Sequence, residues 1–192
     1  MAITLNPRRS LGALALVLAG CASPTATLAP PQEAVATDGS KQVVSATAGL
    51  ECGQPRCPQL TARWSSKRAG VAMLTIGVPY QKSAVARAEF HFGGNQVVRL
   101  MLPSGEQPAP GDYPATAFDA PVSLIDAIAY RAGGWVRVVM ADGLVVQETV
   151  SNGEVKSQAV DAMREFLRAV DTATGKPVEE RGSGGGVFDL LK

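Results

Sequence analysis

The sequence predicts an α+β fold: an antiparallel sheet of about six strands with two amphipathic helices, flanked by a disordered N-terminal tether and a flexible Gly-rich C-terminal tail. Three observations carry this expectation. Short runs between Leu60 and Val150 place an apolar residue at every second position, the period of a half-buried strand. Gly93-Gly94-Asn95 and Asp142-Gly143 each separate two such runs with residues that accept positive φ, the mark of a hairpin. From about Val155 to Thr172, apolar residues instead recur every three or four positions, the period of a helix buried along one side.

Taken in order, Leu60-Thr61-Ala62-Arg63-Trp64-Ser65 alternates and reads as the first strand. Val71 to Val78 follows, with Ala72, Leu74, Ile76 and Val78 on one face. Pro79 ends it, because proline cannot donate to a ladder. Arg87 to Phe92 turns Ala88, Phe90 and Phe92 one way and Arg87, Glu89 and His91 the other. Across the glycine turn, Gln96 to Leu102 returns with Val98, Leu100 and Leu102 expected inward. Pro103 to Pro114 is punctuated by Pro and Gly and reads as a long loop.

A helix is expected next. Asp119 is placed to cap it, Pro121 suits its first turn, and Ser123-x-x-Asp126 echoes a capping box. Ile125, Ile128, Ala129 and Ala132 share one face, and Gly133-Gly134 stops it. Trp135 to Met140 and Leu144 to Val150 then form a second hairpin. In the closing helix Ala159, Val160, Met163, Phe166, Leu167 and Val170 line one face, before Gly175 and Pro177 terminate it.

At 46% hydrophobic residues the chain is rich enough to bury a core, and with only 5% aromatics that core must be mainly aliphatic. Eighteen Lys and Arg against 17 Asp and Glu give a net charge of +1. Such a balance makes no case for nucleic acid or an anionic surface as partner.

The first residues have a different logic. Arg8 and Arg9 precede an apolar run from Leu11 to Ala19, and after Cys21 the composition turns to Ala, Ser, Pro and Thr. That order is a secretory signal. The apolar run is too short to span a bilayer, which takes ~20 residues. Leu18-Ala19-Gly20-Cys21 resembles the lipobox of bacterial lipoprotein precursors, a specific spacing that covers only this leader. The resemblance implies cleavage before Cys21, a diacylglyceryl thioether on its sulfur, usually a further acyl chain such as palmitate on its new amino group, and hence attachment to a membrane. Each buried CH₂ contributes ~0.8 kcal/mol, so two or three chains hold firmly. The residue after the cysteine is Ala22, where Asp favours inner-membrane retention in enterobacterial lipoproteins; the resemblance therefore implies the outer membrane, facing the periplasm. A signal peptide cut near Ala26 is the alternative, and it would remove Cys21.

The expected organisation is thus 1–20 signal peptide, 21–46 lipidated tether, 47–175 one domain and 176–192 tail. The tether would have a reach of roughly 25–30 Å as a coil. Cys52 and Cys57 remain in an exported chain, and Gly53 and Pro55 favour the turn that joins them as a structural disulfide. A redox pair would more often show two intervening residues, and a metal site would need more ligands than His91 alone supplies. In the tail, Val187, Phe188, Leu190 and Leu191 follow a glycine run, and either dock into an envelope partner or fold back on the domain.

No constellation supports catalysis. His91 has Glu89 and Arg87 on its face but no nucleophile in an elbow motif, Glu89 and Glu148 are two carboxylates without a shared motif, and no glycine run forms a phosphate loop. No metal or cofactor is expected. Val122 to Ala132, Trp135 to Met140 and the apolar face ending at Val170 give an order of helix, hairpin and amphipathic segment that resembles the invasion-associated locus B family of exported bacterial proteins. That likeness is one of pattern, the cysteines are arranged differently, and it carries no function. The function expected is a non-catalytic interaction or accessory module of the envelope; the alternatives are a small-ligand or cell-wall-binding domain with its pocket under the Pro103–Pro114 loop and, third, an enzyme whose site the sequence does not mark.

Overall fold

Alternating burial along the chain confirms the two-residue period and shows more strands than that period reveals. The computed structural model describes residues 27–109 and 111–176. In chain order its elements are β1 (Gln32–Val35), β2 (Lys41–Val44), β3 (Ala48–Gly49), β4 (Gln59–Ser65), β5 (Val71–Gly77), β6 (Val85–Phe92), β7 (Gln96–Leu100), β8 (Ala115–Pro121), α1 (Val122–Tyr130), β9 (Gly134–Met140), β10 (Val145–Ser151) and α2 (Gln158–Thr174). The class is α+β, as expected, but the strands form two antiparallel sheets rather than one. The larger runs β1-β2-β4-β5-β8 with β3 also on β4, and the smaller runs β10-β9-β6-β7.

Two isolated bridges join the sheets. Pro103 pairs with Phe118, continuing β7 towards β8, and Glu51 pairs with Thr149, continuing β3 towards β10. Backbone bonds reinforce both seams: Ser104 N donates to Ala117 O at 2.7 Å and Glu51 N to Thr149 O at 3.2 Å. The strands thereby close a circuit in which β5, β8, β6 and β9 all have neighbours on both sides, which leaves few edges open to chance pairing.

Inside, Trp64, Phe90, Phe118 and Phe166 are fully buried with aliphatic residues from both sheets and both helices in one cluster. All six residues expected on the inner face of α2 are buried, and Gly175 caps it in the left-handed region with φ 73°. Leu100 is buried as expected, whereas Leu102 lies beyond β7 and is 83% exposed.

Three further expectations need correction. The tether read over 21–46 does not extend that far: β1 and β2 form a hairpin turning at Gly39 (φ 79°), and β2 pairs with β4 through Gln42–Ser65, Val43–Trp64 and Val44–Arg63. Val43 is fully buried and Leu28 already packs on the core. Every residue of β1 is exposed, so ladder hydrogen bonds hold it, and hydropathy leaves no trace of them. Secondly, Asp119 does not cap α1. It lies in β8, opposite Met73 of β5, and accepts from Arg68 at 3.1 and 2.7 Å, which holds its carboxyl below the usual range. Pro121 takes the cap position without a side-chain bond, so the capping box is not formed. Thirdly, α1 ends at Tyr130, which leaves Ala132 exposed in the link to β9.

Candidate functional site

Cys52 and Cys57 are joined, with Cα atoms 5.6 Å apart. Their loop leads from the Glu51 seam into β4, and Leu50 N donates to Pro58 O at 3.0 Å across its neck. The bridge therefore staples the point where the two sheets meet. Cys21 and the tail residues Val187, Phe188, Leu190 and Leu191 lie outside the described residues.

A cavity of about 560 Å³ opens where β6 and β9 meet the link after α1. His91 and Trp135 sit directly opposite in the β6–β9 register, and their rings stack with centroids 3.7 Å apart and planes 5° from parallel. Beside them Phe92 faces Gly134. A Cβ on Gly134 would come within 2.8 Å of the Phe92 ring and 3.1 Å of His91 O, so only glycine lets the strands approach here. Gly133 is different, since a Cβ there would meet nothing closer than Ser151 O at 4.0 Å. The Arg131 guanidinium stands over the Phe92 ring, 5.7 Å from its centre, a cation–π distance.

On the row below, Glu89 faces Arg137 and Arg99 across the strands, with 3.7 Å to Arg99 Nε and 3.8 Å to His91 Nε2. His91 Nε2 has no hydrogen-bond partner among the described residues. Its cross-strand neighbours Trp135 and Val97 offer no nucleophile. Glu148 does not join Glu89: it pairs in register with buried Val136, so the two carboxylates point to opposite faces of the sheet.

A second recess, about 300 Å³, lies where the sequence placed a loop over the sheet. Its floor is the outward face of β4 and β5, where Thr61 faces Thr75 and bonds Thr47 at 2.7 Å between hydroxyls. The loop is pinned at several points. Gln107 bonds both backbone groups of Ala117, Glu106 takes Arg63 at 2.5 Å, and the Tyr113 hydroxyl donates to Gln59. Burial, with Asp112 nearby, raises the Tyr113 hydroxyl above its ordinary pKa and keeps it a donor at neutral pH. Among the described residues no three His, Cys, Asp or Glu side chains gather as metal ligands.

No protein-family model matches the chain, and no curated protein or solved structure matches it. His91 was legible as an outward strand residue, but Trp135 as its stacking partner was not. The β6–β9 pairing joins residues 44 positions apart across β7, β8 and α1, and no local signal marks it. Arg131, Gly133 and Gly134 read only as the end of a helix.

Proposed function

We propose that this chain is an exported, lipid-anchored binding module of the cell envelope, held by Cys21 and acting through contacts of its folded domain rather than through catalysis. One observation carries the reading: Leu18-Ala19-Gly20-Cys21 follows a basic and apolar leader and stands just ahead of Leu28, where packing on the core begins. The Cys52–Cys57 bridge supports an oxidising compartment, because such bonds persist outside the cytosol. Ala22 supports the outer membrane, facing the periplasm, and the tail from Val187 supplies apolar residues for an envelope partner.

Replacing Cys21 by Ala tests the anchor. The native chain is expected in the membrane fraction, with a mass showing loss of residues 1–20 and gain of acyl chains; the C21A chain is expected to leave that fraction. A native chain that stays aqueous and carries no lipid would refute the reading. Crosslinking in intact cells then identifies the contacts of the anchored chain. A second reading, binding of a small ligand, is favoured by the recess under the pinned loop, whose floor offers the Thr47, Thr61 and Thr75 hydroxyls beside Met73.

A further inference from the structure

The cleft at the β6–β9 end of the smaller sheet has a composition that neither the anchor nor the loop recess uses. It combines a flat aromatic shelf, a glycine-lined wall and an arginine whose charge the described ion pairs leave unmatched. We infer that this cleft, formed by His91, Phe92, Arg131, Gly133, Gly134 and Trp135, binds an acidic saccharide, with a pyranose ring lying on Trp135 and its carboxylate or phosphate on Arg131. The inference concerns the folded domain alone and stands whether or not Cys21 carries lipid.

The chemistry follows from the parts. One face of a pyranose presents C–H groups, slightly positive, and an indole presents a negative π-face, so the two stack with a geometry that a flexible aliphatic chain cannot offer. Stacking on His91 at 3.7 Å holds the Trp135 ring in one orientation before any ligand arrives, which lowers the ordering cost of binding. Gly134 lets β9 approach Phe92 closely, and Trp135 and Arg131 both line the recess at this end of the strands. Glu89 pairs with Arg99 at 3.7 Å, whereas Arg131 meets the Phe92 ring and no carboxylate among the described ion pairs. An arginine so placed favours an oxyanion and can bind it through two parallel N–H bonds. The cavity volume lies within the ordinary range of small-ligand sites, roughly 300–1,000 Å³. Along the next row Glu89 lies between Arg99 and Arg137, so that row carries one positive charge in excess.

Two sources share this chemistry, a free envelope polysaccharide and the headgroup of a glycolipid. The full chain in detergent micelles is therefore titrated by calorimetry with a tetrasaccharide of alternating glucuronate and N-acetylglucosamine, and with the uncharged N-acetylglucosamine tetramer. In a parallel arm it is mixed with phosphatidylethanolamine vesicles with and without a glucuronosyl lipid. Saturable binding of the acidic tetrasaccharide supports the inference with a polysaccharide source; binding confined to the glucuronosyl vesicles supports it with a headgroup source. Trp135→Ala and Arg131→Gln should each weaken the acidic ligand by about tenfold, the weight of roughly 1.4 kcal/mol. Gly133→Leu has room for its Cβ and fills the cleft, so it should abolish binding while the thermal transition stays in place. Absence of binding in both arms, equal affinity for the uncharged tetramer, or binding that survives Gly133→Leu would each overturn it.

Discussion

At the scale of single residues, Glu148 is a carboxylate set partly inward on its strand. Its register partner is buried Val136, and the next inward residue on its strand is buried Val150. Burial raises its pKa above the ordinary carboxylate value. The folded chain thus holds the Glu148 proton more tightly than the unfolded chain does. Below the unfolded value both states are protonated and its contribution is intact; as pH rises through the folded value, ionisation in a half-buried site removes it. Glu148→Gln is therefore expected to raise the melting temperature at about pH 7 and to leave it unchanged near about pH 4, where the native side chain is also neutral. Thermal melts of both chains across that range check this. An equal shift at every pH would place the effect in packing instead. The same residue shows what a linear reading misses: the period puts Glu148 on a strand, and only its register with Val136 shows that it turns to the face opposite Glu89.

At the scale of elements, local signals were legible and pairings were not. The Gly93-Gly94-Asn95 turn forms with φ of 78° at Gly94 and 61° at Asn95, and Gly143 turns the second hairpin at φ 89°, so residues that tolerate this region mark both hairpins. Helix α2 was legible because its buried face repeats at the helical period, whereas β8 was not. Its ATAFDAP sequence resembles a loop leading to a cap, and it becomes a strand only because β5 offers seven register partners from Val71 to Gly77. β1 and β2 were hidden for the related reason that their stability comes from the β4 edge. The disulfide lies among such pairings, next to the bridge that joins β3 to β10. In the chain-entropy treatment, closing so short a loop stabilises by about 2 kcal/mol. Replacing Cys52 and Cys57 by Ser should lower unfolding stability by about that much in a urea titration, with the m-value unchanged. A drop in m-value as well would mean that the β3–β10 seam opens with it.

At the scale of the whole molecule, the early onset of order changes what the anchor does. A tether reaching Ala46 would let the domain wander roughly 25–30 Å from its lipid. With Leu28 packed on the core and β1 starting at Gln32, only the residues between Cys21 and Leu28 are left to span the distance, and no extended chain exceeds about 3.6 Å per residue, or about 25 Å in all. If Cys21 is lipidated as proposed, the domain works against the membrane surface. Leu28 lies beside Ala46 and Ala162, so the anchor enters at the β2–β3 link and α2, on a side of the fold that is then turned to the headgroups. Inserting a flexible Gly-Ser spacer of about 25 residues between Ala26 and Thr27 would restore roughly the longer reach, ~25–30 Å as a coil. Neutron reflectivity of the lipidated chain on a supported bilayer is expected to show the native domain directly against the headgroup layer and the spacer variant separated from it. In-cell crosslinking of the same pair should then lose any contact that depends on holding the domain at the surface and retain those made by the domain alone. An identical separation for both chains would mean that something other than the Cys21 linkage sets the distance, and the anchor would have to be sought elsewhere.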